Sequence, residues 1–311
     1  MRVSRLVVVL FASLLATTGR PAFAQVDLSG EWRSVANESG HSDIGDYTGV
    51  PISDALRQRA DSWNAAEFSM PELQCRPHPA AHSIRPPNAA YAQFRQWKDV
   101  DPVTAATIAL RQHGAWMEPE RTIWMDGRSH PNEYAPHQWF GFSTGVWEGN
   151  ALRVTTTHLK EGFVYPNGLT VSDRTVMTEV FTRHDNYLMS ALFVEDPVYL
   201  TEPFLRTSIW QLDAGLVNLQ ERYPCGLNEV SIEVPHPKGY VPHHLPGTNR
   251  ALLREFALEH GLPFEATRGG AETLYPEYME KFKTMTSEPV SLAPLVPGAR
   301  RVPQPGAQTV P

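Results

Sequence analysis

The chain has 311 residues, of which 41% are apolar and 10% aromatic, enough to form a large hydrophobic core. It carries 34 acidic and 27 basic residues, which gives a formal net charge of −7. An acidic balance without a lysine- or arginine-rich run excludes the usual electrostatic route to nucleic acid or anionic membrane surfaces.

The first 24 residues have the three parts of a secretory signal peptide. Arg2 and Arg5 precede the apolar run Leu6–Ala16, and Ala22-Phe23-Ala24 offers a cleavage site before Gln25. A retained membrane anchor is the alternative, but a spanning helix needs about 20 apolar residues. We therefore predict export to the periplasm or the outside of the cell, with no integral membrane segment after cleavage. Removal of this segment leaves 24 basic and 34 acidic residues, a net charge of −10.

The sequence contains two cysteines, Cys75 and Cys225. In an oxidising compartment such a pair most simply forms one disulfide, and the long loop that it closes predicts a stabilisation of about 4–5 kcal/mol. A metal-binding pair or a nucleophilic cysteine is the alternative. Neither is supported, because the sequence has no CxxC and no hydrolase motif around either cysteine.

Short segments rich in aromatic and β-branched residues alternate with turn residues and predict strands. They are Leu28–Arg33, Gln93–Lys98, Thr107–Gln112, Thr122–Met125, Trp139–Trp147, Ala151–His158, Val176–Arg183, Tyr187–Val194, Leu205–Leu212 and Leu216–Tyr223. Tight connections such as Glu148-Gly149-Asn150 and His184-Asp185-Asn186 indicate sequential hairpins. Because closure removes exposed strand edges, we predict a mainly β fold, an antiparallel meander closed into a barrel.

Short helices are predicted at the N-terminal side of the barrel and at the C-terminus. Ile52–Trp63 has helical spacing with Ser53 as N-cap, Asn249–His260 follows the N-cap Thr248, and Tyr275–Lys283 begins close to a proline. Residues 25–286 are predicted to form one domain with a helical and irregular extension from about residue 226. The proline-rich tail, residues 287–311, is predicted to be disordered.

Histidines are the most reactive residues near the predicted strands, since no HExxH, P-loop or GxGxxG motif is present. His130 and His137 flank a loop, where they form either turn structure or a site at the barrel rim. In the strand ending at His158, alternation places His158 on the face of Leu152 and Val154, pointing inward. A histidine hydrogen-bonded within the core is the alternative for His158.

Glu179 lies between Met177 and Phe181, so it is either an inward carboxylate that needs a partner or a solvated outward one. We name His137, His158 and Glu179 as candidate catalytic residues. Candidate ligand-binding residues are Arg128, His130, Trp124 and Trp139. A metal-assisted variant would use His130, His137 and His158. We predict no metal site, and the sequence does not identify a cofactor.

Several segments resemble a family of bacterial exported proteins without an assigned function. The segments are Trp124–Pro131, Gly141–Gly162 and Glu195–Phe204. The family pattern is a DGRxHP motif followed by GxSxGxWEG(D/N)xLxV. The family is in turn similar to lipocalin-like (calycin) barrels, which have a Gly-x-Trp strand near the start, and Gly30-Glu31-Trp32 matches that strand. The resemblance covers Leu28 to Asn228 and implies a lipocalin-like barrel and export, without an established reaction. Cys225-Gly226-Leu227-Asn228 departs from the Cys-x-Glu-x-Asn of the family.

These observations favour an exported protein that binds a small hydrophobic or aromatic molecule in an apolar barrel cavity. The alternative is a cofactor-independent or metal-assisted enzyme, of the hydrolase, hydratase or isomerase type, acting at the barrel mouth. A third possibility is an envelope scaffold, which would have a filled barrel and a large exposed apolar patch.

Overall fold

A computed structural model describes residues 26–35, 47, 49–63, 80–83, 93–115, 120–165, 168–215, 250–259 and 261–285. Eleven strands lie in these ranges. They are β1 (Gly30–Ser34), β2 (Gln93–Val100), β3 (Thr107–Gly114), β4 (Glu120–Trp124), β5 (Phe142–Glu148), β6 (Ala151–Thr157), β7 (Gly162–Tyr165), β8 (Leu169–Val171), β9 (Val176–His184), β10 (Tyr187–Glu195) and β11 (Phe204–Leu212).

Nine of the strands form a closed barrel in the order β1-β11-β10-β9-β6-β5-β4-β3-β2. The barrel closes between the first and last strands of this order, where Trp32 lies opposite Phe94. The predicted mainly β barrel is therefore confirmed. Each predicted strand has a counterpart except Leu216–Tyr223, which lies outside the described residues.

The strand connections depart from the predicted meander in two places. β4 and β5 are parallel, with Ile123 opposite Ser143 and Trp124 opposite Thr144. A parallel pair needs a crossover of about a dozen residues or more, and the segment from Met125 to Gly141 supplies it. The prediction of antiparallel neighbours throughout was wrong here, because alternation identifies a strand but not its direction. The hairpin β7–β8, which the sequence did not predict, lies outside the barrel, so β6 pairs with β9.

Alternation along the barrel strands separates an inner from an outer face. On β6, for example, Leu152, Val154 and Thr156 are buried, while Arg153 is exposed. Large aromatic side chains gather on the inner face near the β9–β10 turn. They are Trp32, Phe94 and Trp210, and the Phe94 and Trp210 rings meet edge to face with centroids 5.3 Å apart.

The helices are short. They are α1 (Asp54–Asp61), α2 (Ala80–Ser83), α3 (Arg250–Glu259), α4 (Phe264–Thr267), a 3₁₀ helix (Ala271–Leu274) and α5 (Pro276–Phe282). Ser53 caps α1 as predicted, since its Oγ accepts a hydrogen bond from the Leu56 N–H at 3.3 Å. The helices α3 and α5 lie where the sequence predicted them, whereas α2, α4 and the 3₁₀ helix were not predicted. None of the described helices has the length and apolar character needed to cross a membrane.

One end of the barrel is covered by segments outside the barrel wall. The hairpin β7–β8 lies at this end, since it follows the end of β6 and precedes the start of β9. The residues before α1 attach to the same end through a β-bridge between Ile52 and Leu200, and α1 itself packs against β8. The C-terminal helices attach to α1 through the ion pair of Arg268 with Asp61. The barrel and its cover therefore form a continuous apolar core.

Several predictions concern residues outside the described ranges and stay predictions. They are the signal peptide of residues 1–24, the disulfide between Cys75 and Cys225, and the disordered tail of residues 287–311.

Gly141, at the end of the β4–β5 crossover, has φ +61° and lies directly against the Thr157 carbonyl group and the Thr156 side chain. We expect Gly141→Ala to destabilise the protein for two reasons. The left-handed backbone conformation is unfavourable for alanine by about 1–2 kcal/mol. Overlap of the new Cβ atom with Thr156 and Thr157 adds about 1–3 kcal/mol. Gly127→Ala is the matched control, because Gly127 has φ +76° but open space around it. Urea unfolding would measure both changes, and equal losses in the two variants would contradict the crossover geometry.

Candidate functional site

The inner face of the barrel carries a belt of buried polar residues between apolar neighbours. The belt consists of Gln96, Gln112, Arg121, Ser143, Thr156, Glu179, Ser190 and Ser208. Polar groups buried in this way are unfavourable unless they form hydrogen bonds, and charged groups need a partner of opposite charge. The belt is therefore the part of the barrel interior in which polar and charged groups are concentrated.

Arg121 and Glu179 form an ion pair at the centre of this belt. Their side chains are 1% and 0% exposed, and Nη2 of Arg121 donates to Oε2 of Glu179. The same nitrogen donates to Thr156 Oγ1 at 2.8 Å, and Nε donates to Ser143 Oγ at 3.1 Å. One guanidinium group thus connects β4 with β5, β6 and β9.

The hydrogen bonds continue from Arg121 to the other side of the barrel. Arg121 Nη1 donates to Gln112 Oε1 at 3.4 Å, and Gln112 Nε2 donates to Gln96 Oε1 at 2.7 Å. Gln96 Nε2 in turn donates to the Leu28 carbonyl oxygen at 2.9 Å. A continuous polar network therefore crosses β2, β3, β4, β5, β6 and β9 and ends at the residues that precede β1.

Two buried oxygen atoms of the belt have no hydrogen-bond partner among the described residues, Glu179 Oε1 and Ser190 Oγ. Ser190 lies opposite Phe181, two residues from Glu179 on the adjacent strand, so the two side chains are diagonal neighbours on one face. Leaving a buried polar atom unpaired is unfavourable by about 1–3 kcal/mol, more for a charged group. These two atoms therefore leave hydrogen-bonding capacity unused in the barrel interior.

The structure settles the orientation of Glu179, which the sequence left open between an inward and an outward side chain. It also shows the partner, Arg121, which the sequence analysis missed. A signal was present, since Arg121 alternates with Ile123 on β4 and therefore shares the inner face.

His158 does not point inward, and this prediction was wrong. β6 ends at Thr157, and His158 adopts φ +57°, which breaks the alternation on which the prediction depended. Its Nε2 instead donates to the Asn132 carbonyl oxygen at 2.8 Å, and its Nδ1 lies 2.7 Å from Thr157 Oγ1. His158 is thus attached to the β4–β5 crossover on the outer face.

His130 and His137 lie beside His158. His130 bridges two outward threonines, with Nδ1 2.7 Å from Thr157 Oγ1 and Nε2 2.8 Å from Thr144 Oγ1. His137 Nδ1 donates to the Leu159 carbonyl oxygen at 2.9 Å, and its ring centroid is 5.3 Å from that of His158. The structure therefore brings the three histidines together at one end of β6, as a histidine cluster.

The Asn132 carbonyl group determines which ring nitrogens of neutral His158 and His130 carry a hydrogen. A carbonyl oxygen can only accept, so His158 Nε2 carries the hydrogen and Nδ1 accepts from Thr157. Thr157 then accepts from His130 Nδ1, and His130 Nε2 accepts from Thr144. Burial, followed by repulsion from His158, lowers the pKa of His130 and so favours this neutral arrangement.

The histidine cluster and Glu179 lie on opposite sides of the barrel wall. Thr144 and Thr157, which hold His130, alternate with the buried Ser143 and Thr156 and thus face outward, whereas Glu179 is fully buried inside. The acid–base arrangement that combines these histidines with Glu179 is therefore not assembled. Within the described ranges, no group of three histidine, cysteine or carboxylate side chains is arranged to hold a metal ion.

The predicted ligand-binding residues also lie outside the barrel. Trp124 alternates with the buried Ile123, and the Arg128 guanidinium stacks 3.4 Å from its ring centroid. Arg128 also binds both carboxylate oxygens of Asp126, which lowers the pKa of that carboxyl group. The Lys160 ammonium group lies 5.1 Å from the Trp139 ring centroid. These residues belong to the β4–β5 crossover and to the segments beside it.

The fold and the buried polar belt define a mainly β protein with a closed barrel and a charged centre. No protein-family model matches the chain, and no curated protein is significantly similar to it. The resemblance to exported lipocalin-like proteins therefore stays a prediction from the motif.

Removal of one member of the Arg121–Glu179 pair should be much more harmful than removal of both. We expect Arg121→Met to lower the free energy of unfolding by about 3–5 kcal/mol, because Glu179 is left buried without its counter-ion. The double variant Arg121→Met/Glu179→Leu should be more stable than Arg121→Met, since it buries no charge. Urea unfolding provides the measurement.

The ion pair of Arg153 with Glu148 is the matched control for this comparison, because both side chains are about half exposed on the outer face. Arg153→Met should change the free energy of unfolding by at most about 1 kcal/mol. If Arg121→Met/Glu179→Leu were as unstable as Arg121→Met, the loss of stability would not come from the unpaired charge of Glu179, and the prediction would be wrong.

The lowered pKa of His130 predicts that this residue makes the fold less stable in acid. When the pH is lowered through the ordinary pKa of 6.5, this histidine takes up a proton in the unfolded chain but not yet in the folded protein. The free energy of unfolding therefore decreases as the pH decreases, until the pH is below the pKa of His130 in the folded protein. His130→Gln should therefore lose less stability than the wild type between about pH 7.5 and 5. Urea midpoints measure the slope, with His184→Gln, at an exposed position, as control. Equal slopes for His130→Gln and wild type would refute the prediction.

Proposed function

We propose that this protein is an exported binding protein that holds a small molecule inside its barrel. The observation that carries the proposal is the buried polar belt, in which Glu179 Oε1 and Ser190 Oγ have no partner among the described residues. Natural interiors rarely leave such atoms unpaired, and a bound guest would satisfy them.

The dimensions and lining of the barrel are consistent with a small guest. An eight-stranded barrel is just wide enough to be filled by side chains or to hold one small ligand, and this barrel has nine strands. Binding sites of this kind are mostly apolar with a small number of placed polar groups. Here Phe181 and Leu192 supply apolar surface next to the unpaired atoms. The guest is therefore a small hydrophobic or aromatic molecule with a polar end.

Export is supported by the sequence of residues 1–24, which has the charged start, apolar run and cleavage site of a signal peptide. A binding protein in the periplasm or outside the cell would meet its ligand there. The predicted disulfide between Cys75 and Cys225 belongs to the same compartment.

The enzyme hypothesis has less support from the geometry. It required histidines and a carboxylate in one pocket, whereas the histidine cluster lies on the outer face and Glu179 lies inside. The ring nitrogens of His130 and His158 are all engaged in hydrogen bonds within the fold, as expected for residues that position the crossover. The binding hypothesis uses the buried polar belt without such a rearrangement.

Native mass spectrometry of the full chain, expressed in a bacterium that exports it and purified gently, tests this proposal. We expect a bound organic adduct in the wild type and its loss in Arg121→Met/Glu179→Leu, because that change removes the polar centre. His158→Ala is the control and should keep the adduct, since His158 lies on the outer face. An adduct that persists in the double variant, or no adduct in the wild type, would count against binding at this site.

The same preparation under denaturing conditions tests export and the disulfide. The expected mass is that of a chain beginning at Gln25 and lacking two hydrogens for the Cys75–Cys225 bond. An uncleaved chain would overturn the proposed signal peptide, and a mass with both thiols reduced would overturn the disulfide.

A further inference from the structure

We infer, on the basis of the proposed binding function, that the guest of the barrel is a neutral molecule that presents a hydroxyl or N–H donor to Glu179 and Ser190. Molecules that end in a carboxylate are selected against. The inference follows from which hydrogen-bonding atoms of Arg121, Glu179 and Ser190 already have partners within the protein.

Arg121 has almost no donor left for a ligand. A guanidinium group has five N–H donors, and the hydrogen bonds to Ser143, Gln112, Thr156 and Glu179 use four of them. A buried arginine in a barrel would ordinarily attract an anionic ligand, but here its charge is already neutralised by Glu179. An incoming carboxylate would approach a second carboxylate in a site of low dielectric constant, where repulsion is strong.

The atoms that remain require a donor. Glu179 Oε1 belongs to an ion-paired carboxylate, which only accepts hydrogen bonds, while the Ser190 hydroxyl can either donate or accept. A hydroxyl group can donate to Glu179 and accept from Ser190 at the same time, so one such group satisfies both. A secondary amide can do the same with its N–H and carbonyl groups.

A neutral head group is favoured over an ammonium group for a related reason. The Arg121–Glu179 pair has no net charge, so a bound cation would add an uncompensated charge to the interior. Around the head group, Val154 and Leu192 flank Glu179 on the neighbouring strands, and Phe181 lies opposite Ser190. None of these side chains can solvate an ion.

Four naphthalene probes of similar size test the inference by isothermal titration calorimetry on the full, processed chain. They are 2-naphthol, 2-methoxynaphthalene, 2-naphthoate and 2-naphthylmethylammonium. We expect 2-naphthol to bind at least about tenfold more tightly than 2-methoxynaphthalene, because only the hydroxyl can donate to Glu179. The two charged probes should bind more weakly than 2-naphthol by a similar or larger factor.

Two variants locate the head group. Ser190→Ala should weaken 2-naphthol binding by about three- to tenfold and leave 2-methoxynaphthalene unchanged, since it removes one hydrogen bond to the hydroxyl. Thr170→Val is the matched control. Thr170 Oγ1 is also buried without a hydrogen-bond partner among the described residues, but Thr170 lies on β8, outside the barrel and its polar belt. The preference for 2-naphthol should survive this change.

Equal affinities for 2-naphthol and 2-methoxynaphthalene, tighter binding of either charged probe, or a Ser190→Ala variant with unchanged preference would overturn the inference and leave the binding function intact. Extraction of the native adduct gives an independent result, and a carboxylic acid as the adduct would also overturn it. If no probe binds and no native adduct is found, the binding function itself fails, and the inference fails with it.

Discussion

The ion pair between Arg121 and Glu179 is the interaction on which the barrel interior depends. Two charges removed from water are tolerated only when each is paired and its remaining hydrogen-bonding groups are satisfied. Ser143, Gln112 and Thr156 meet this requirement for Arg121. They do so from three different strands, so the register of β3, β5 and β6 is fixed by the same group that balances Glu179 on β9. A shift of one residue in any of these strands would turn its polar side chain to the outside.

The polar belt divides the interior into two apolar regions with different structure. Towards the β9–β10 turn, the inner face is formed by Trp32, Phe94 and Trp210. Towards the start of β9, the apolar surface continues into the hairpin β7–β8 and α1, which cover that end. The unpaired oxygen atoms lie between these regions, where the proposed guest would place a polar end against Glu179 and its apolar part against the wall.

On the outer face, charged and histidine side chains form contacts within the fold. The β4–β5 crossover carries Asp126, Arg128 and His130, all of which are engaged with neighbours on the protein itself. Asp196, which follows β10, behaves in the same way, since its carboxylate accepts from Ser172, Thr175 and the backbone of the next turn. Through these hydrogen bonds Asp196 holds the end of β10 against the start of β9.

The sequence by itself determined the strands, because period-two alternation and turn residues are local, and it determined α1, because Ser53 caps the helix from three residues away. It also determined that the strands close, since exposed edges are unfavourable whatever the order. Only the tertiary structure decided the parallel pairing of β4 with β5 and the partner of Glu179, which lies 58 residues away in the chain. It also decided the position of His158, where a single left-handed residue reverses the face that alternation predicts. These features depend on contacts between distant segments, which the local pattern of side chains does not encode.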